Sequence, residues 1–263
     1  MLRVTDITKT FFPRTVNERV ALAGINLHLP EGEFTTVIGS NGAGKSTLLN
    51  IIAGYMRPDV GTIEINGRLV GGLSDHERAK YIGRVFQDPM AGTAPNLSIE
   101  QNLSIAYRRG RTRGLALGVT ARKRAFFREQ LATLELGLEN RLKTKVGLLS
   151  GGQRQALSLL MATFTQPGIL LLDEHTAALD PQRAALVTRL TKEIVASHRL
   201  TTLMVTHNME QALAVGNRLI MMHEGNIILD VNGSEKQNMA VADLLAEFER
   251  SKGATLDDRT LLT

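Results

Sequence analysis

The sequence predicts an α/β fold with a buried parallel sheet, of the kind found in nucleotide-binding proteins. Four short apolar runs support this prediction, because runs of this length are typical of strands covered on both faces. The first run is followed at once by a glycine-rich turn, and each of the others by polar residues. Parallel sheets bind ligands at the carboxyl ends of their strands, which is where these residues fall. The runs are Phe34–Ile38 before Gly39, Arg84–Phe86 before Gln87 and Asp88, Ile169–Leu172 before Asp173 and Glu174, and Thr202–Val205 before Thr206 and His207.

The other predicted elements fall into three regions of the chain. We expect an antiparallel layer near the N-terminus, a helical insertion at about residues 89–165, and a hairpin followed by an amphipathic helix near the C-terminus. The predicted strands of the layer are Leu2–Ile7, Val20–Leu29 and Gly61–Ile65, and the predicted helices of the insertion are Ser98–Arg109, Thr120–Leu136 and Ser150–Thr165. The hairpin strands are Leu219–Met222 and Ile227–Val231, and the last helix presents Met239, Val241, Leu244, Leu245 and Phe248.

Composition excludes several classes of protein. The 263 residues contain no cysteine, which excludes disulfide scaffolds, thiolate zinc sites and cysteine nucleophiles. The longest apolar runs are too short to cross a bilayer, and the N-terminus lacks the apolar stretch of a secretion signal. A net charge of +5, from 31 Lys and Arg against 26 Asp and Glu, is too small to establish nucleic-acid binding. We therefore expect a soluble cytoplasmic protein that reaches a membrane only through a partner.

Residues 39–47 fit the phosphate-binding loop pattern. Loop N–H groups would surround a phosphate chain at the positive end of the next helix, predicted over Lys45–Ala53. Lys45 would neutralise the β- and γ-phosphates, and the Ser46 hydroxyl would bind Mg²⁺. The alternative, a glycine-rich turn with an incidental lysine, leaves the flanking strand and helix unexplained. The loop consists of Gly39, Ser40, Asn41, Gly42, Ala43, Gly44, Lys45, Ser46 and Thr47.

Two adjacent carboxylates, Asp173 and Glu174, end a strand of aliphatic residues. A carboxylate in that position needs a cation or hydrogen-bond donors, because desolvation alone is costly. Asp173 would support Mg²⁺, while Glu174 would polarise the attacking water. The alternative is a pair of acids that cap the next helix, and the nearby phosphate loop favours the metal site.

A second glycine-rich segment, Ser150, Gly151, Gly152 and Gln153, begins the third predicted helix of the insertion. Ser150 and Gln153 form a capping box, which is a sufficient local interpretation for those two residues. It does not explain two glycines in a first helical turn, each of which costs up to about 1 kcal/mol relative to alanine. The glycines would instead let an anion approach the positive helix end. Since one nucleotide hardly needs two such cradles, we expect two chains that face each other.

With these motifs in this order, residues 1 to about 231 resemble the ATP-binding subunit of an ABC (ATP-binding cassette) transporter. The resemblance implies a phosphate-loop NTPase with a RecA-like mixed-sheet core, an antiparallel β subdomain and an inserted helical subdomain. It also implies ATP and Mg²⁺, and a head-to-tail dimer with two ATP molecules between two copies. In this single domain, residues 1–88 and 166–231 would be the core, 89–165 the helical subdomain and 232–263 a helical tail.

The resemblance implies a role for each motif. Lys45, Ser46 and the loop amides would hold ATP from one subunit, and Ser150, Gly151 and Gly152 of the other would contact its γ-phosphate. Gln87 matches the family glutamine that senses Mg²⁺ and the attacking water. Asp173 matches the metal-supporting aspartate, and Glu174 matches the catalytic glutamate. Asp180 matches the aspartate that reaches across the dimer, and His207 the histidine at the γ-phosphate. Phe11 matches the aromatic residue that stacks on adenine, with Phe12 as the alternative.

Two further features have open interpretations. His175 follows the catalytic glutamate where many relatives have proline or alanine, and we expect a turn histidine that faces solvent or the partner rather than a second titrating group. The segment from Gln101 to Arg128 has no acidic residue and eight basic ones. It is either a solvated surface or a face turned to the anionic cytoplasmic leaflet. The basic residues are Arg108, Arg109, Arg111, Arg113, Arg122, Lys123, Arg124 and Arg128.

The function expected from the resemblance is to energise solute transport, most readily bacterial import of a small solute such as an amino acid. Residues 173–180 and 204–211 resemble a subgroup paired with permeases of the branched-chain amino acid and sugar type. The expected partners are integral membrane permease subunits at the cytoplasmic face of the inner membrane and an extracytoplasmic solute-binding protein, with no nucleic acid. The alternatives are an exporter subunit and a soluble ABC ATPase that acts on nucleic acid or the ribosome. A phosphate-loop kinase or GTPase would leave Gln87 and residues 150–153 unexplained.

Overall fold

Two sheets flanked by helices make up the protein in a computed structural model, which describes residues 1–110 and 118–260, with side chains described as far as Ser251. The strands are β1 (Leu2–Phe11), β2 (Arg19–Leu29), β3 (Phe34–Gly39), β4 (Val60–Ile65), β5 (Arg68–Leu69), β6 (Ile82–Val85), β7 (Ile169–Asp173), β8 (Thr202–Val205), β9 (Arg218–His223) and β10 (Asn226–Asn232). The helices are α1 (Lys45–Ala53), α2 (Asp75–Arg78), α3 (Ile99–Tyr107), α4 (Ala121–Ala132), α5 (Gly151–Thr163), α6 (Pro181–His198), α7 (Met209–Ala214), α8 (Gly233–Asn238) and α9 (Val241–Thr260).

The larger sheet has the strand order β10-β9-β3-β8-β7-β6 among the described residues. Strands β9, β3, β8, β7 and β6 are parallel, and β10 is antiparallel to β9. Val37 is paired with Val205, and Val205 with Asp173, so β3, β7 and β8 end at the same edge. The predicted mixed-sheet fold is confirmed, and the polar strand ends lie along one edge as expected.

The smaller sheet has the order β2-β1-β4-β5 and is antiparallel, as predicted for the N-terminal layer. Its buried face packs with α1 and the larger sheet in one cluster that includes Ile7, Leu29 and Ile63. Arg78 of α2 is buried beside this cluster, and its guanidinium donates to Ile51 O and Ile52 O at the end of α1. These bonds satisfy carbonyl groups that a helix end leaves unpaired.

The predicted helices of the insertion are present, with shorter ends. Serine or threonine caps each of them, and the predicted helix Thr120–Leu136 ends at Ala132. The backbone at Glu135 and Gly137 has φ values of +54° and +69°, which a helix cannot continue. The prediction omitted α6, although Asp180 caps it and Pro181 occupies its first turn.

Some residues of the basic segment form bonds within the protein, so they cannot contribute to a membrane-facing surface. The guanidinium of Arg109 donates to Ala162 O and Met161 O at the end of α5, and Arg124 forms an ion pair with Glu100 at 2.6 Å. Arg111 and Arg113 lie outside the described residues. Arg109 and Arg124 therefore hold the insertion together and are not a free cationic surface.

The C-terminal hairpin and helix were predicted correctly in outline. Glu224 and Gly225 have φ values of +43° and +80°, which suit the two central residues of a tight hairpin turn. Leu244 of α9 is fully buried against the larger sheet, whereas Leu245 is 49% exposed, so the apolar residues of this helix are not all buried. Among the described residues, no helix is both long enough and apolar enough to cross a membrane.

Candidate active site

The loop between β3 and α1 is shaped by glycines at positions where a side chain would collide. A Cβ on Gly39 would lie 2.1 Å from Met222 O, and one on Gly44 would lie 2.3 Å from Ala21 O. Gly44 is also the N-cap of α1, and no described side chain caps that helix. The first N–H groups of α1 are therefore open to an anion, as the phosphate-loop pattern predicts.

Lys45 is held over the loop by the loop's own carbonyl groups. Its side chain is buried, and Nζ donates to Gly39 O over 2.8 Å and to Ser40 O over 2.9 Å. Burial lowers the pKa of Lys45 below its ordinary value, while the charges of Glu174 and Asp173 oppose that shift. The ammonium group is thus oriented at the point where phosphate charge would arrive.

A cavity of about 230 Å³ lies over the phosphate loop. Phe11 lines it, whereas Phe12 is 66% exposed and is not among the lining residues. Arg19 also lines it and donates from Nη2 to Gly42 O over 2.8 Å. The described lining residues are Phe11, Arg19, Ala21, Asn41, Gly42, Gly44, Lys45, Ser46, Thr47 and Glu174. The cavity thus brings the loop together with one of the two predicted carboxylates.

Asp173 and Glu174 have different surroundings at the end of β7. Asp173 Oδ2 accepts a hydrogen bond from Arg84 Nη2 over 2.9 Å, an ion pair that the sequence did not predict. The backbone of Glu174 has a φ of +43°, and its N–H donates to Val205 O. The Glu174 side chain lies near His207, with 3.4 Å between Oε2 and the ring Nδ1. Glu174 and His207 also line a second cavity, of about 840 Å³, on the side facing α6 and α7.

Gln87 lies two residues beyond the end of β6 and is exposed. Its neighbour Phe86 is fixed, because Gln155 of α5 donates from Nε2 to Phe86 O over 2.9 Å. The predicted glutamine therefore lies where the insertion contacts the edge of the larger sheet.

The second glycine segment forms the predicted capping box. Ser150 Oγ accepts from the Gln153 N–H, and Gln153 Oε1 accepts from the Ser150 N–H. The glycines have a packing reason too, since a Cβ on Gly152 would lie 3.1 Å from Arg183 Cβ and one on Gly151 3.3 Å from Leu179 Cδ2. None of Ser150, Gly151, Gly152 and Gln153 is among the described residues that line the cavity over the phosphate loop.

Asp180 caps α6, accepting from the Arg183 N–H over 3.1 Å and forming an ion pair with Arg183 Nε at 3.2 Å. Its side chain is about half exposed and lies outside the lining of the phosphate-loop cavity. The structure gives this aspartate a capping role within its own chain.

The prediction for His175 is wrong. The residue is only 1% exposed, and its Nε2 lies 3.0 Å from Thr191 Oγ1 of α6. Burial lowers the pKa of His175 to about 4, because the charged ring would lose its water without gaining an anion. His175 is therefore a neutral core residue that joins the strand end to α6.

Sequence reasoning missed two arginines of the site, Arg19 and Arg84. A signal existed for Arg84, because a charged residue within a short buried strand requires a partner. Arg19 had no such signal, since an arginine at the exposed start of a strand is ordinary.

Comparison with known proteins shows the family of this chain. The profile of the ABC transporter family matches residues 22–177, more than half of the chain. The chain belongs to the ABC transporter family. A tyrosine transport ATP-binding protein of Clostridioides difficile is 42% identical over 250 residues, which cover 95% of this chain and 99% of that protein. An aliphatic sulfonates import ATP-binding protein of Pseudomonas putida is 34% identical over 233 residues, covering 88% and 78%.

Solved ABC cassettes have the same fold. A dimeric cassette in a post-hydrolysis state, bound to ADP and phosphate, matches with a TM-score of 0.74 at 32% identity and covers 88% of this chain and 98% of that one. A second ABC cassette in its ADP conformation matches with a TM-score of 0.75 at 27% identity, covering 90% and 92%. This ABC cassette binds ATP with Mg²⁺ and is an ATP hydrolase.

The oxygen donors of the site suit Mg²⁺. The described residues contain no group of three His, Cys, Asp or Glu that could hold a metal by itself. Mg²⁺ is commonly bound by one or two protein oxygens together with substrate phosphates and water, so a full protein cage is not required. The side chains of Ser46, Asp173 and Gln87 carry hydroxyl, carboxylate and amide oxygens, which are of the required hard type.

Proposed function

We propose that this ABC ATPase energises bacterial import of a small organic solute, of the amino-acid class. It would act at the cytoplasmic face of the inner membrane, bound to integral membrane permease subunits. Residues 1–88 and 166–231 would form its nucleotide-binding core, residues 89–165 the helical subdomain that carries Ser150, and residues 232–263 a C-terminal helical tail.

One observation supports the catalytic role above the others: Lys45 and Glu174 line the same cavity. Lys45 would pair with the β- and γ-phosphates, and Glu174 would accept a proton from the attacking water. Bound Mg²⁺ would offset the phosphate charge, with Ser46, Asp173 and Gln87 as its protein donors. His207, within 3.4 Å of Glu174, would contact the γ-phosphate, and Phe11 would stack on adenine.

The position of the second glycine segment supports a dimer. Ser150–Gln153 does not line the cavity of its own chain among the described residues, yet it presents the N-terminus of α5. We propose that Ser150, Gly151 and Gly152 close on the γ-phosphate held by a second copy, with Gln153 capping the helix. Asp180 would reach across the same interface from the loop before α6.

The solute class is proposed from the relatives. Similar proteins are named for tyrosine transport, aliphatic sulfonates import and methionine import. The relative that matches 95% of this chain is the tyrosine transport protein, so we propose an aromatic amino acid as the solute. The permease would be of the branched-chain amino acid and sugar type, and an extracytoplasmic solute-binding protein would deliver the solute.

Uptake by cells tests this proposal. Cells that lack the gene, complemented with wild type or Lys45→Ala, are supplied with radiolabelled tyrosine, methionine or an alkanesulfonate. We expect wild type, but not the variant, to restore tyrosine uptake. Loss of methionine uptake alone would reject an aromatic amino acid as the solute, and loss of sulfonate uptake alone would reject the amino-acid class. Equal uptake by both strains for all solutes would reject an import role. Lys143→Ala, at an exposed position, is the matched control.

A further inference from the structure

The guanidinium of Arg84 reaches from β6 to the aspartate at the end of β7. Arg84 Nη2 and Asp173 Oδ2 are 2.9 Å apart, and only 11% of the arginine side chain and 16% of the aspartate side chain are exposed. In the paired strands Arg84 lies opposite Leu171, two residues before Asp173. The ion pair therefore belongs to the interior of the site and is only weakly screened by solvent.

Two aromatic rings hold the arginine in this place. The guanidinium carbon lies 5.1 Å from the ring centroid of Tyr55, which follows α1, and 4.7 Å from that of Phe86. Phe86 directly precedes Gln87, and its carbonyl accepts from Gln155. The clamp therefore fixes Arg84 between the phosphate-loop helix, the glutamine segment and Asp173.

Hydrogen bonding alone does not explain why Arg84 occupies this position. Its Nε is buried and has no hydrogen-bond partner in the part of the chain that the structure describes. A buried N–H without a partner is unfavourable and is uncommon in folded proteins. What the position does provide is a positive charge beside Asp173, the aspartate proposed to support Mg²⁺.

We propose that Arg84 is a positioning residue that acts through Asp173 and lowers the affinity of the site for its divalent cation. This inference rests on the metal role proposed for Asp173. The Arg84 guanidinium binds Asp173 Oδ2 and offsets the negative charge of the carboxylate, so that less of this charge attracts a divalent cation. Arg84 also orders the carboxylate, which acts in the opposite direction. Because the Arg84 guanidinium binds Asp173 Oδ2 directly and the pair is weakly screened by solvent, we expect the offset of charge to exceed the ordering effect.

Binding of Mn²⁺, followed by electron paramagnetic resonance with ADP on the full chain, tests the proposal without hydrolysis. Arg84→Met removes the charge and keeps an apolar stem between the rings, and Arg84→Lys keeps the charge. We expect Arg84→Met to bind Mn²⁺ at least about threefold more tightly than wild type, and Arg84→Lys to stay within about twofold. The matched control is Arg68→Met, since Arg68 also lies by an aromatic ring, Tyr81, but in the smaller sheet.

A double-mutant cycle with Asp173→Asn separates this inference from the proposed function. We expect Asp173→Asn to weaken Mn²⁺ binding and Arg84→Met to have no further effect in that background. If Arg84→Met alone binds Mn²⁺ no more tightly than wild type, the proposed effect of the Arg84 charge is overturned. It is also overturned if Arg84→Met tightens Mn²⁺ binding in the Asp173→Asn background. Normal Mn²⁺ binding by Asp173→Asn overturns instead the metal role of Asp173. Arg84→Gln serves the same comparison if Arg84→Met does not fold.

Discussion

His207 Nδ1 lies 3.4 Å from Glu174 Oε2, which places an exposed ring beside a carboxylate that is 22% exposed. Gln211 holds the two loops together, because its Oε1 accepts from Thr206 Oγ1 and its Nε2 donates to Thr176 Oγ1. Glu174 and His207 therefore lie just after β7 and β8, on two loops that Gln211 joins. A proton taken up by Glu174 would lie next to the ring of His207.

Glu174→Gln should abolish hydrolysis and leave ATP binding intact. Glutamine keeps the shape of the side chain but cannot take a proton from water, so we expect a rate loss of at least about 100-fold. With ATP, the 28.7 kDa variant should elute at twice its mass in size-exclusion chromatography. Glu31→Gln, at an exposed position, should behave as wild type. Full activity of Glu174→Gln would remove Glu174 from catalysis.

Lys45→Ala should remove most ATP binding. The ammonium group is already bonded to Gly39 O and Ser40 O, so its loss takes away a preorganised charge and not a flexible one. Calorimetric titration with ATP is the measurement, and circular dichroism should show an intact fold. Near-normal affinity would reject the assignment of this cavity to ATP.

Phe11→Ala and Phe12→Ala form a matched pair. Phe11 lines the cavity and Phe12 is 66% exposed, so only Phe11 is placed to stack on a base. Loss of that stacking costs about 1–3 kcal/mol, which corresponds to roughly 5- to 150-fold weaker ATP binding for Phe11→Ala. Phe12→Ala should bind ATP as wild type does, and the reverse order of effects would exchange the two assignments.

Ser150→Arg should prevent ATP-driven dimerisation and hydrolysis while the monomer still binds ATP. Ser150 does not line the ATP cavity of its own chain, but an arginine at the start of α5 would block a facing subunit. The lost cap costs about 1 kcal/mol of stability, which thermal unfolding can measure. Ser197→Arg, on the exposed surface of α6, is the control. Loss of monomer binding would show that the segment acts within its own chain.

His175→Gln tests the buried histidine. Because burial lowers its pKa from 6.5 to about 4, the ring is neutral from pH 6 to 8, and the ATPase rate should change by less than about threefold there with no lost ionisation. Between pH 6.5 and 4 the unfolded chain binds the proton and the folded chain does not, so stability falls as pH falls. At pH 5 the free energy of unfolding should be about 2 kcal/mol lower than at neutral pH because of this histidine. His175→Gln should lack this decrease. Urea unfolding at pH 7 and pH 5 measures both proteins, and equal pH dependence would contradict the burial.

Local patterns in the sequence were sufficient for the elements that carry the motifs. Short apolar runs that end in polar residues predicted β3, β7 and β8, and Ser98, Thr120 and Ser150 predicted the helix starts. The residues of the phosphate loop could be found for the same reason, since glycine spacing and the next helix are encoded within a few residues. Even α6 had a local signal, Asp180 and Pro181, which the prediction did not use.

What only the tertiary structure decided is the pairing of side chains across long stretches of chain. Arg84 and Asp173 are 89 residues apart, and Arg19 and Gly42 are 23 apart, so no local pattern links them. The position of His175 likewise depends on α6, whose Thr191 Oγ1 lies 3.0 Å from the ring Nε2. A buried charged or polar side chain forms hydrogen bonds with the groups that packing brings within about 3 Å. The arrangement of the sheets and helices determines which groups those are, and the neighbouring residues in the sequence do not.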